Sequence, residues 1–264
     1  MTPTLLLILS GCAMNLAELR SARTLEGGEL AFTWGNTVTL PTATAREAVA
    51  AARTVAEAAG DDVSGITEEQ RDDLIDGSTA LALSAPGIGT WAEGAFGLGY
   101  GWELSARGGG GFTGVGLRKG VNLHPVYLSA GLRAGKAGGF RLGKVETVSE
   151  LVTLTEYKRW DLALTGQAGV ELGEWGRAWG GVKLVRSPYR LTLDPSRLGL
   201  SPVSAEGALT HFGGFAGVGL GWRYVFLVGE LGVARSAGTL DLYGETQDLG
   251  GWVLSPAWGV QAVF

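Results

Sequence analysis

The chain is short of the residues that most recognisable sites are built from. It has one cysteine, Cys12, and two histidines in 264 residues. A single cysteine excludes an internal disulfide, and with two histidines it leaves no His/Cys cluster at metal-ligand spacing. After Leu9 no apolar run approaches the ~18 residues that read as a membrane helix. Lys and Arg, 21 in all against 26 acids, are nowhere clustered, which excludes the basic surface a nucleic acid requires. Proline, at 8 residues, is too scarce for a Pro/Gly linker.

What is abundant is glycine and tryptophan. There are 45 glycines, against a usual share of about 7%, and 9 tryptophans. Mean hydropathy is +0.18, high for a chain with no membrane-helix run. Such a chain has its apolar residues spread one in two along strands. The net charge of −5 is local. Asp61, Asp62, Glu68, Glu69, Asp72, Asp73 and Asp76 face only Arg71, about −6 in 60–76, so the remainder is close to neutral.

From Gly28 onward the pattern has period two, as in strands whose successive side chains point to opposite faces. Over Asp161–Leu172 one face is Leu162, Leu164, Gly166, Ala168, Val170 and Leu172, and the other carries Asp161, Thr165, Gln167 and Glu171. In the last segment Trp252, Leu254, Pro256, Trp258, Val260, Ala262 and Phe264 share a face. The pattern predicts about ten strands, near 28–40, 89–100, 102–109, 112–120, 125–135, 159–172, 177–188, 209–221, 224–235 and 252–264. The number falls to eight if 102–118 is one strand. Most are long enough for the ~9–11 residues that cross a bilayer at a tilt. Tight turns at Tyr100-Gly101-Trp102, Glu174-Trp175-Gly176 and Trp222-Arg223-Tyr224 alternate with long segments at 41–88, 136–158, 189–208 and 236–251. Trp91, Tyr100, Trp102, Trp160, Trp175, Trp222, Tyr224 and Trp252 sit at strand ends, where Trp and Tyr favour the two membrane interfaces.

These strands resemble those of bacterial outer-membrane β-barrel proteins, over residues 28–264. The resemblance implies a closed antiparallel up-and-down barrel of about ten strands (eight to twelve), with short periplasmic turns and long external loops. The terminal Phe264 is similar to the signal that the barrel-assembly machinery reads. An even strand number puts both ends of the barrel sequence on the periplasmic side.

The chain opens MTPTLLLILSGC. A short apolar run, Leu5–Leu9, ends in the small residues Ser10 and Gly11 before Cys12, the logic of a secretory signal. Leu9-Ser10-Gly11-Cys12 resembles the lipobox of bacterial lipoproteins. That resemblance implies a signal peptide over 1–11, lipid on Cys12, a lipidated linker over 12–27 and, with Ala13 next, sorting to the outer membrane. Outer-membrane lipid and the assembly machinery are then the expected partners, with no nucleic acid and no cofactor. Any external ligand or small solute stays open.

The face opposite the apolar one carries Glu93, Glu103, Arg107, Arg118, Arg133, Asp161, Glu171 and Lys183, with Glu230 a further candidate. Mixed signs suggest an ion-paired lumen, since a barrel of about eight strands is just filled by side chains. Inward glycines (Gly97, Gly99, Gly109, Gly114, Gly116, Gly131, Gly169, Gly217 and Gly219) either leave a narrow water path or allow close packing. Within the long loop 41–88, Ala45–Ala59 has helical spacing, and Thr67-Glu68-Glu69-Gln70 reads as a capping box. This predicts a helical insertion over 44–76. Its acids lack EF-hand spacing, and no metal is expected.

Catalytic signals are weak. His124 lies in a turn and His211 on the inward parity near a strand's outer end. A catalytic histidine needs a nucleophile and an orienting acid within reach, and no ordered set stands beside either. Gly97–Gly101 and Gly108–Gly111 lack the Lys-Ser/Thr or strand-then-helix setting of nucleotide loops. The leading expectation is a non-enzymatic outer-membrane barrel lipoprotein with a structural, binding or narrow-transport role. A small-solute channel, a lipid- or peptide-modifying enzyme and a lipid-tethered soluble β-sandwich are the alternatives.

Overall fold

The computed structural model describes residues 16–42, 86–109, 111–137, 153–196, 199–243 and 245–264, together with Thr67, Ile75 and Leu83. Its strands are β1 (Leu30–Pro41), β2 (Gly87–Gly99), β3 (Trp102–Gly109), β4 (Phe112–Asn122), β5 (Val126–Ala137), β6 (Thr153–Leu172), β7 (Gly176–Asp194), β8 (Val203–Trp222), β9 (Val225–Ala237), β10 (Thr239–Leu242), β11 (Glu245–Asp248) and β12 (Gly251–Val263). Ten of them form a closed antiparallel barrel, each paired to its neighbour in sequence apart from the β10–β11 hairpin, which stands outside it. The seam is β1 on β12, running from Ala31↔Val263 to Pro41↔Val253. At its lower end Phe264 exchanges both backbone hydrogen bonds with Leu30, each 2.8 Å. Closure leaves no open edge, the condition for strands in hydrocarbon.

The alternation of the sequence is the alternation of the wall. Leu30, Phe32 and Trp34 of β1, Leu162 and Leu164 of β6, and Leu227, Leu231 and Val233 of β9 all face outward and are exposed. At the short-turn end Tyr100, Trp102, Trp175, Trp222, Tyr224 and Phe264 form an exposed aromatic ring. Tyr224 and Phe264 are stacked, their centroids 6.5 Å apart. Toward the other end Trp160 is paired with Lys136, and Arg235 stands between Phe212 and Trp252. A barrel with its apolar residues outside is the inverse of a soluble sandwich, which buries them, so that alternative is set aside.

Strands β6, β7 and β8 have 20, 19 and 20 residues, well beyond the expected ranges. A bilayer needs only ~9–11, so the excess projects past the barrel at the long-loop end. There the outward face turns polar, with Arg190 bridged to Glu206 at 2.6 Å and Thr192 to Ser204 at 2.9 Å. The inward face is apolar. Tyr189, Leu191, Leu193, Ala205 and Leu209 bury themselves against Leu240 and Leu242 of β10 and against Ile75 and Leu83. This second core turned both ends of the expected loop 189–208, residues 189–194 and 203–208, into strand, because the strands have an apolar partner there. The helical insertion expected over 44–76, and the long loop 41–88 around it, lie outside the described residues apart from the isolated positions named above and the strand ends.

The largest departure from the sequence reading concerns 12–27. Its described part, Leu16–Gly27, is not a linker outside the barrel. It runs through the middle of it. Leu16, Ala17, Glu18, Leu19, Arg20, Ser21, Ala22 and Leu25 are all buried.

Candidate functional site, a lumen threaded by its own chain

The segment leaves β1 at the short-turn end, where Gly28 N–H donates to Gly97 O at 2.9 Å. From there it runs, in reverse sequence order, up the lumen. Leu25 packs on Ala31 and Ala95 near the bottom. Ala17 and Leu19 pack on Trp91, Trp179, Phe215, Phe226, Val228 and Ala257 higher up. Leu16 meets Ala163, Val185, Ala234 and Val253.

An irregular strand of chain buried in a barrel cannot leave its peptide groups unpaired. No neighbouring strand is available, so the wall supplies side chains instead. Glu230 accepts from the N–H groups of Glu18 at 2.8 Å and Leu19 at 3.0 Å. Glu103 accepts from Leu25 N–H at 3.2 Å. Arg107 donates to the carbonyls of Ala17 at 2.7 Å and Glu18 at 3.3 Å. Arg118 donates to those of Ser21 at 2.8 Å and Arg23 at 3.0 Å, and Lys183 to that of Leu16 at 3.1 Å. Hydrogen bonds to charged groups are about twice as strong as neutral ones.

The segment's own charges complete the array. Glu18 lies 2.9 Å from Arg133 and 2.5 Å from Lys183. Arg20 lies 3.0 Å from Glu93 and 2.6 Å from Glu103. The wall residues pair with each other as well: Arg107 with Glu93 at 2.6 Å, Arg118 with Glu103 at 2.9 Å and Arg133 with Glu93 at 3.2 Å. Counting Arg107, Arg118, Arg133 and Lys183 against Glu93, Glu103 and Glu230, the wall carries +1 before the segment's Glu18 and Arg20, which cancel each other, are added. Near neutrality is what a buried charge cluster requires, because an unpaired ion in a low-dielectric interior is costly. Trp91 and Trp179 brace the cluster. Arg107 stacks over the Trp91 ring at 3.8 Å, and Trp179 Nε1 donates to Glu230 at 3.0 Å.

Of the eight wall charges named from the sequence, Glu93, Glu103, Arg107, Arg118, Arg133 and Lys183 thus converge on the threaded segment. Glu171 also meets the segment, more loosely, at Arg23, 3.9 Å away. Asp161 stands apart with Arg159, at 3.0 Å, above the segment. Sequence reasoning missed Glu18 and Arg20, which it assigned to a linker, and Arg159. Cys12 lies outside the described residues.

The glycines are the counterpart of the segment. A Cβ on Gly97 would sit 1.8 Å from Glu26 O, on Gly120 2.5 Å from Thr24 Oγ1, on Gly35 2.5 Å from Leu19 Cδ1, and on Gly169 3.1 Å from the Ala22 Cβ. Other wall glycines receive bulky side chains, as Gly217 receives the Trp179 ring. Close packing of the segment and of neighbouring side chains against these positions, rather than an open water path, explains them. Among the described residues, cavities along the lumen include one of about 30 Å³ beside Arg20 and Arg118 and one of about 20 Å³ beside Leu16 and His211, room for single waters.

His211 is buried in the wall with its Nδ1 unpartnered, and Ser187 Oγ is likewise buried and unpartnered. His124 lies in the β4–β5 turn, where its N–H donates to Asn122. Among the described residues no group of three or more His, Cys, Asp or Glu is placed to hold a metal ion.

No family model and no curated protein matches the chain. Among solved structures it is similar to neisserial surface protein A, at 10% identity, covering 90% of this chain and 97% of that one with a TM-score of 0.32. It is also similar to the attachment invasion locus protein Ail of Yersinia pestis, at 10% identity, 91% and 100% coverage and a TM-score of 0.31. A third is the translocator domain of the autotransporter NalP of Neisseria meningitidis, at 10% identity, 90% and 89% coverage and a TM-score of 0.38. Scores this low carry nothing about what this chain does.

Proposed function

We propose that the protein is a bacterial outer-membrane barrel that is closed by its own N-terminal segment, and that it works as a non-conducting carrier of that segment rather than as a pore or an enzyme. The observation behind this reading is the lumen. Eight backbone groups between Leu16 and Leu25 are bonded by wall side chains, and the cavities beside Arg20 and beside Leu16 are water-sized. Membrane placement is supported by the outward apolar belt and its aromatic borders, as transmembrane barrels show. The lipobox resemblance adds a lipid on Cys12 as anchor, and Phe264, at the closing seam, is positioned at the end that an assembly machinery would engage.

A channel role requires a continuous water path, and the enzyme role requires partners for His211. Neither is favoured by a specific contact. The test is planar-bilayer conductance of the full chain and of a variant lacking residues 16–27. The full chain is expected to be silent and the deletion to conduct, because removing the segment empties the lumen. Steady conductance of the full chain would sink the closed-barrel reading and restore the channel.

A further inference from the structure

We propose that the outer wall of β5–β9 holds an anionic membrane lipid with two phosphate groups, bound by Lys136, Arg186 and Arg235 at the long-loop border of the apolar belt. The inference rests on the membrane-barrel reading above.

These three cations sit on alternate strands at one height. Lys136 is ten residues beyond Val126, where β5 begins at the short-turn end. Arg186 is ten beyond Gly176 in β7, and Arg235 ten beyond Val225 in β9. All three face outward and are exposed. Near the same height Trp160 of β6, Phe212 of β8 and Trp252 of β12 are also exposed. Cation and aromatic therefore alternate around six adjoining strands. On the far wall β1 and β2 present Leu40 and Ile88 at that height instead.

The protein's own acids do not account for this arc. Farther toward the long loops on the same outer face, Lys158 and Arg190 are bridged to Glu156 and Glu206. Among the described residues no carboxylate or hydrogen-bond acceptor meets Lys136, Arg186 or Arg235. Their lateral neighbours are Thr113 and Trp160, Leu162 and Thr210, and Phe212 and Trp252, none of them acidic. A lipid phosphate at the edge of the hydrocarbon complements such cations. Arginine meets it with two parallel hydrogen bonds, and basic clusters beside a membrane attract anionic headgroups. The exposed rings suit the same border, where Trp favours the interface.

The spacing argues for two phosphates. From Lys136 to Arg186, and again from Arg186 to Arg235, the step is two strands sideways and two residues toward the short turns. With strands ~4.8 Å apart and a rise of ~3.3 Å per residue, each step is about 12 Å between Cα atoms. Side chains as long as Lys and Arg, reaching from both ends, close on one phosphate in each gap. Three cations thus frame two phosphate positions with Arg186 shared between them.

The full chain in detergent is titrated with cardiolipin, which has two phosphates, with phosphatidylglycerol, which has one, and with phosphatidylcholine. Bound lipid is read by native mass spectrometry. Cardiolipin is expected to bind most tightly. Its affinity should fall about 30-fold in Arg186→Gln/Arg235→Gln, the effect of two surface cations on an anionic lipid. Arg190→Gln, whose arginine already has Glu206, should change nothing. Equal binding of cardiolipin and phosphatidylglycerol overturns the proposal, as does an unchanged affinity in the double variant. Displacement of cardiolipin by inorganic pyrophosphate also overturns it, because the ligand would then be a soluble anion. A photoreactive cardiolipin on the parent chain gives a measurement that needs no variant. Crosslinks confined to β5–β9 support the site, and crosslinks spread evenly onto β1–β3 overturn it. If the parent fails to insert into phosphatidylcholine vesicles, read by its heat-dependent gel shift, the membrane reading itself falls and takes the site with it.

Discussion

The Arg133 guanidinium lies between two carboxylates of different origin, Glu18 of the threaded segment at 2.9 Å and Glu93 of the wall at 3.2 Å. It joins the stopper to the barrel through one side chain. Removing one partner of a buried pair leaves the other charge uncompensated, at a cost of about 3–5 kcal/mol. Arg133→Ala is therefore expected to unfold in detergent at lower temperature than the parent, read as the temperature at which its folded gel band is lost. Adding Glu18→Gln to the same chain should recover part of the loss. No recovery would show that the two residues are not coupled.

Gly35 and Leu19 give a steric version of the same test. A Cβ at 35 would lie 2.5 Å from Leu19 Cδ1, the far end of a flexible side chain, and 3.2 Å from Trp258 O. Overpacking of this kind costs about 1–3 kcal/mol. Gly35→Ala should destabilise the barrel or loosen the segment, measured as faster cleavage at Arg20 and Arg23 by trypsin. Leu19→Ala in the same chain should reverse most of it. A barrel in which residues 16–27 lie outside would show no such rescue.

His211 bears on the enzyme alternative. Its Nδ1 is buried without a hydrogen-bond partner, and an unsatisfied buried polar group costs about 1–3 kcal/mol. His211→Leu is expected to leave the folding temperature unchanged or to raise it. A marked fall would mean that the imidazole has a partner that matters.

The apolar belt makes a separate demand. Leu164 is outward and exposed, in one lateral row with Leu132 and Leu184. An arginine at the bilayer midplane of a barrel costs about 2–4 kcal/mol. Leu164→Arg should lower stability in lipid by this amount, as measured by denaturant titration in vesicles, and Thr192→Arg, on the projecting part of β7, should not. Equal effects would argue against a membrane around Leu164.

Much of this was legible in the chain before any coordinates. Period-two alternation is a local property, readable within a dozen residues, and it indicated a barrel of about ten strands (eight to twelve), the outward belt and the inward parity of Glu93, Glu103, Arg107, Arg118 and Arg133. Even the direct cross-strand pairs Glu93↔Arg107 and Glu103↔Arg118 follow from hairpin register. The strand ends at 153, 194 and 203 were not legible, because they depend on packing against β10, Ile75 and Leu83. The contents of the lumen were not legible either. LAELRSARTLEG has no strand or helix period, and its partners lie 73 residues away at Glu93 and 212 residues away at Glu230. A charge pattern on a wall shows that the interior is polar, but not what fills it. Only closing the barrel brought charges and glycines from eight strands within reach of residues 16–27, and that convergence is a property of the tertiary structure alone.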